Sequence, residues 1–229
     1  MREGRSTLGT IKIINVHQSV FAENDRIAEE TRRKLKENKT FLLNLMASPG
    51  AGKTSILLQL LERLRDTYRI GVIEADIDGV VDAEKMEQAG VTVVQAHTGG
   101  ECAMDAQMTK EALEELLEKK QLELVILENV GNLVCPAETD TGASKNAVIL
   151  SVPEGDDKPL KYPLMFERCQ LLIVNKIDTV AYFDFDREKL MRNAKMRNPK
   201  LEILFVSAKT GEGMDELAAW MRKNIEVIE

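Results

Sequence analysis

Basic charge and cysteine are both in short supply in this chain, and each shortage closes off a class of function. Lysine and arginine number 31 against 38 aspartate and glutamate, for a formal net charge of −7 over 229 residues. Such a surface repels polyanions, so neither nucleic acid nor an anionic membrane is an expected partner. The three cysteines are Cys102, Cys135 and Cys169. A sparse, odd-numbered set does not make a disulfide framework. Unlinked thiols in a reducing, cytoplasmic compartment are expected. No apolar run is long enough to cross a bilayer, and the opening MREGRSTLGTIKII has no apolar leader core.

What is present is alternation. Apolar runs at Phe41–Met46, Arg69–Ala75, Val91–Ala96, Leu122–Leu127, Ala147–Val152, Leu171–Val174 and Leu201–Val206 read as strands. Between them lie helical patterns, among them Asp82–Ala89, Met104–Lys120, Asp186–Asn198 and Met214–Lys223. This order predicts an α/β fold with a mostly parallel sheet and helices on both faces. Ligands then belong at the C-terminal edge of the strands. A charged helix capped by Asn24 or Asp25 and running to Asn38 is expected to lie across the surface. The division is therefore a lead over 1–38 and one main domain over 39–229.

The strand at Phe41 opens into Ala47-Ser48-Pro49-Gly50-Ala51-Gly52-Lys53-Thr54 and then an amphipathic helix. Strand, Gly-rich turn, Lys-Thr and helix is the arrangement of a phosphate-binding P-loop. Pro49, Gly50, Ala51 and Gly52 form a turn whose N–H groups converge on phosphate oxygens, where side chains would obstruct. The helix N-terminus adds a field that favours anions. Lys53 is expected to reach the terminal phosphates and assist catalysis. The Thr54 hydroxyl is expected to ligate Mg2+, with Ser55 beside it. Ala47 stands where the pattern has Gly, which is acceptable if its φ is negative.

Asn175-Lys176-Ile177-Asp178 follows a later strand. A carboxylate such as Asp178 accepts both guanine N1–H and the N2 amino group, and adenine offers neither donor there. The Lys176 stem can lie over the base, and Asn175 can tie neighbouring loops together. Ser207-Ala208-Lys209 sits at the next strand end, with N–H groups for guanine O6. These loops in this order select GTP. Glu128-Asn129-Val130-Gly131 ends another strand. Glu128 takes the place of the Mg2+-side carboxylate, and the Gly131 N–H is available to the γ-phosphate. No Gln follows Gly131 to orient water. Asp76, ahead of Asp78, is the expected residue for contacting Mg2+ or positioning the attacking water.

Cys102 is placed at the start of a helix and Cys135 in a loop past the fourth strand, both on the nucleotide side of the sheet. A thiol near a helix N-terminus ionises more readily and suits a soft metal. Two separated cysteines are nevertheless more often independent thiols. Cys169 precedes a strand and reads as core.

Taken together, NLMASPGAGKT, EADID, TGGEC, LENVGNLVCPAE, SVPEGDDKPLKYP, NKID and VSAKTGEG resemble the HypB family of hydrogenase nickel-incorporation GTPases. This is a branch of P-loop NTPases that also holds the urease accessory protein UreG. The resemblance covers nearly the whole chain. It implies a GTPase that dimerises with GTP and Mg2+ bound and delivers nickel to [NiFe]-hydrogenase. The implied partners are a HypA-type nickel chaperone and the hydrogenase large subunit. It also implies Ni2+ or Zn2+ at the dimer interface on a Cys-His pair and a second Cys. Carried over, the thiol ligands are Cys102 and Cys135, and the His position holds Ala103. Four thiolates from two subunits would still suit Zn2+, and His97 is an outside candidate. Lys158 and Lys161 are either contacts across the dimer or solvated lysines. The alternatives are an interaction switch that binds no metal, and a GTPase of urease or cobalamin-enzyme maturation.

Overall fold

The computed structural model describes residues 16–76, 86 and 90–228, without the side chains of 16–20, 76 and 119. Within these bounds seven strands form one sheet: β1 (Phe41–Ala47), β2 (Ile70–Asp76), β3 (Thr92–His97), β4 (Leu124–Glu128), β5 (Lys145–Ser151), β6 (Leu171–Asn175) and β7 (Glu202–Phe205). Their spatial order is β3-β2-β4-β1-β5-β6-β7. Every described pairing is parallel. The helices are α1 (Val16–Glu37), α2 (Lys53–Leu64), α3 (Ala106–Lys119), α4 (Cys135–Glu138), α5 (Lys158–Lys161), α6 (Pro163–Arg168), α7 (Arg187–Arg197) and α8 (Met214–Glu226).

A parallel sheet is covered on both faces, so its central strands carry no polar side. β1 is buried at every position. Phe41, Leu43 and Leu45 pack with Ile56, Leu57, Leu60 and Leu61 of α2 and with α8. Leu42 faces the other way, onto α3 and Leu35 of α1. Met46 joins Phe166 of α6 and Leu190 of α7 beyond it. All strands run the same way, so their C-terminal ends, and the loops that leave them, gather along one edge.

Two helices begin elsewhere than expected. α1 already runs from Val16, the first described residue, so Asn24 and Asp25 lie within the helix. The Asn24 carboxamide does not cap its own helix: it donates to the Asp140 carbonyl at 2.9 Å and accepts at 2.9 Å from the N–H of Ala106, the first residue of α3. α3 starts at Ala106, where the Asp105 side chain caps it by accepting from the Met108 N–H at 2.8 Å. The stretch after β4, expected as a loop, contains the short helix α4, and the stretch after β5 contains α5, each with Pro in its first turn. The residues before 16 and the expected helix over Asp82–Ala89, Met86 excepted, lie outside the described set. No helix among the described residues is long and apolar enough to cross a membrane.

Candidate functional site

The P-loop leaves β1 at Ala47, which is buried and is not among the described residues of positive φ. Gly50 and Gly52 adopt φ of 76° and 101°, the left-handed region that side chains resist. A Cβ at Gly52 would collide with the Asn175 carboxamide. Lys53 is the first residue of α2, so its N–H and those of Thr54 and Ser55 lie among the first-turn donors that lack a partner within the helix itself. The Thr54 hydroxyl donates to Glu128 Oε1 at 3.0 Å, across from the end of β4. Glu128 is almost fully buried. A hydroxyl and a carboxylate in contact at a helix N-terminus form a hard-oxygen pair suited to Mg2+. Gly131 lies against the P-loop, where a Cβ would come 3.2 Å from Pro49 Cγ.

The base-selecting loops close around the same turn. Asn175 Nδ2 donates to the Ala51 carbonyl at 2.9 Å, and its Oδ1 accepts from the Ala208 N–H at 3.1 Å. One carboxamide therefore binds the P-loop to the loop after β7. Lys176 Nζ donates to the Gly50 carbonyl at 2.7 Å. Its backbone sits at φ 63°, a strained setting for a residue with a side chain. Ser207 Oγ donates to Asp178 Oδ1 at 2.7 Å and accepts from the Thr210 N–H at 3.1 Å, which fixes the carboxylate's orientation. Lys209 is exposed beside them.

Cys102 and Cys135 are joined as a disulfide, with Cα atoms 6.0 Å apart. This overturns the expectation of two independent thiols. They are separated by 33 positions in sequence, but the segment after β3 crosses to the end of β4, where the Met104 N–H donates to Asn129 Oδ1 at 3.2 Å. A second expectation is also reversed: Cys102 precedes the α3 cap Asp105, and it is Cys135 that opens a helix, α4. Cys169 is fully buried, and burial pushes its thiol pKa well above the ordinary value. Ala103 and Met104 are buried, and His97 is exposed at the end of β3. Among the described residues no group of three or more His, Cys, Asp and Glu side chains is gathered to hold a metal ion. One chain thus offers two soft sulfur donors, and only once the disulfide is opened. A four-ligand shell needs donors from elsewhere.

The backbone of Asp76 ends β2, but its side chain, and all of Asp78, lie outside the described residues. The structure adds contacts around the site that no motif indicates. Glu154 accepts from Ser151 Oγ at 2.7 Å and also from Ser48 Oγ in the P-loop. Lys158, 3.8 Å from Glu154, hangs on the same contact, while Lys161 pairs with Asp157 at 2.7 Å. Arg32 of α1 pairs with Asp140, past α4, at 2.5 Å. The Asn175 role, by contrast, is legible in the sequence, because its motif is contiguous.

Residues 41–205 match the family described as CobW/HypB/UreG, nucleotide-binding domain. The hydrogenase maturation factor HypB of Rhizobium leguminosarum bv. viciae is 44% identical over 210 residues, 92% of this chain and 70% of that protein. The probable hydrogenase maturation factor HypB of Methanocaldococcus jannaschii is 34% identical over 218 residues, 95% of this chain and 98% of that one. The crystal structure of HypB from Helicobacter pylori in complex with nickel superposes with a TM-score of 0.84 at 34% identity, covering 89% of this chain and 95% of that chain. With a P-loop, a buried carboxylate on its Thr and guanine-type loops on one sheet edge, the chain belongs to the CobW/HypB/UreG family of P-loop nucleotide-binding proteins and, within it, to the HypB hydrogenase maturation factors.

Proposed function

We propose that this chain is a GTP-hydrolysing switch that dimerises in its GTP-bound state and helps insert nickel into [NiFe]-hydrogenase. The observation that carries the reading is the Cys102–Cys135 pair on the same strand-end edge as the P-loop. Residues 39–229 act as the GTPase domain, with 1–38 as its lead. Pro49 to Ser55, with Gly131, hold the phosphates. Asn175, Lys176, Asp178, Ser207, Ala208 and Lys209 hold guanine. Lys53 and Asp76 act on the terminal phosphate, and Thr54, Asp76 and Glu128 would hold Mg2+, which would supply charge neutralisation to the phosphates. Cargo Ni2+ or Zn2+ binds four thiolates, Cys102 and Cys135 from each of two copies, in a reducing cytoplasm that opens the disulfide. A HypA-type chaperone and the hydrogenase large subunit stand before and after this step.

Gel filtration with GDP and with a non-hydrolysable GTP analogue tests the switch. A GTP-dependent shift to the dimer is expected, and identical elution at micromolar protein sinks it. Metal binding by a Cys102→Ala/Cys135→Ala variant as tight as the parent's sinks the cargo assignment separately.

A second reading is favoured by Ala103 at the third ligand position and by the closed disulfide: a GTP-dependent interaction switch that binds no metal. Anaerobic titration of the reduced protein with Zn2+ and Ni2+ separates the two. Sub-micromolar binding at one metal per dimer supports the first, and absent binding supports the second.

A further inference from the structure

Nucleotide state has to reach two cysteines that lie outside the P-loop, and five consecutive residues touch both. Glu128 accepts from Thr54, and Gly131 rests on Pro49, so the segment contacts the nucleotide side at two points. Between them Asn129 is fully buried. Its Oδ1 accepts from the Met104 N–H at 3.2 Å and from the Val130 N–H at 2.9 Å. Met104 is two residues past Cys102. Asn129 Nδ2 donates to Asn44 Oδ1 at 3.0 Å, and Asn44 Nδ2 donates in turn to Asn146 Oδ1 at 3.0 Å. Just past Gly131, Asn132 Nδ2 lies 3.3 Å from Cys135 Sγ.

Asn129 is thus anchored from below by an amide ladder across β1 and β5. Above, it grips its own loop and the Cys102 segment with one oxygen atom. A carboxamide supplies an acceptor for two N–H groups and, on a separate atom, a donor for the ladder; a carboxylate has no donor, and a hydroxyl would have to do both from a single, shorter-reaching oxygen. In a buried site no water replaces a lost partner, so when the Val130–Gly131 backbone moves, the Met104 backbone follows or is left unpaired.

We infer that Asn129 is the positioning residue through which the loop at the γ-phosphate sets the geometry of the Cys102 segment. This rests on the metal-delivery reading above. The test uses full-length protein, reduced and desalted without oxygen, in three forms: parent, Asn129→Ala and Asn129→Ser. The Ser hydroxyl reaches its neighbour Val130 but not Met104, and it guards against a misfolded Ala variant. Zn2+ affinity is measured against a chromophoric chelator with GDP and with a non-hydrolysable GTP analogue. GDP and analogue affinities are measured separately.

The parent's Zn2+ affinity is expected to differ about tenfold between nucleotides, within the usual range of coupling. Both variants are expected to shrink that ratio to about twofold or less, with nucleotide affinities within about threefold of the parent. Variants that keep the parental ratio overturn the inference. So do variants that lose nucleotide binding in proportion, since Asn129 would then act on the nucleotide pocket. A parent that binds no Zn2+, or binds it equally in both states, overturns the metal-delivery reading itself and the inference with it.

Discussion

At the scale of single residues, the site depends on who donates to whom. Asp178 holds one oxygen toward Ser207 and keeps the other free of described side chains. Asp178→Asn replaces an acceptor with a donor facing the guanine N1–H and N2 group. It is expected to weaken GTP about 10- to 100-fold, from roughly 1–3 kcal/mol of mispaired hydrogen bonding. Competition against a fluorescent GDP checks this, and unchanged GTP affinity would refute the assignment. Thr54→Ala removes the hydroxyl that meets Glu128. The Mg2+-dependent gain in GTP affinity is expected to vanish, and Thr54→Ser is expected to restore it.

Asp156 has no part in that chemistry and reports instead on pH. The hydrogen bond from Lys189, at 2.8 Å, holds its carboxyl below the usual carboxylate value. A lowered native pKa stabilises the fold above the unfolded-state value, near pH 4, and the contribution is lost as pH falls through the native one. Asp156→Asn is therefore expected to melt below the parent at pH 7, with the gap closing as the pH falls below the ordinary carboxylate value. A gap that stays constant across that range would exclude the mechanism.

At the scale of elements, what the sequence disclosed and what it hid divide by distance along the chain. The P-loop, E-x-x-G, N-K-x-D and S-A-K segments each place their chemistry in adjacent residues on one strand end, so strand and turn signals suffice to find them. The strand-to-helix alternation is equally local. Sequence alone points to Asn24 as a helix cap, because a cap acts within a few residues. Its real partners, Ala106 and Asp140, lie 82 and 116 positions away. The cysteine pair was missed for the same reason: nothing between residues 102 and 135 indicates that β3 and β4 both flank β2.

The disulfide can be tested directly. In denaturant without reductant, one of the three cysteines, Cys169, is expected to react with Ellman's reagent. After reduction, all three should react. Closing a loop of this size restricts the unfolded chain by roughly 3–4 kcal/mol. Reduction is expected to lower the melting temperature by about 6–16 °C. Three reactive thiols before reduction would show the pair to be open.

At the scale of the whole molecule, β1 holds the sheet together, paired to β4 from Phe41 against Leu124 and to β5 from Leu43 against Lys145. Both partners come late. During synthesis at roughly 5–20 residues per second, β1 leaves the ribosome on the order of ten seconds before the first of them exists. In that interval FLLNLMA is an uncharged, apolar strand with nothing to pair with, the kind of segment that recruits its neighbours. Asn44 is the one polar side chain within it. An Asn44→Val variant is expected to scatter more light on dilution from denaturant, and refolding as clear as the parent's would deny Asn44 this role. In the finished protein Asn44 is a rung between Asn129 and Asn146. On the ribosome, before either of those residues has been made, the same amide is expected to protect a nascent chain.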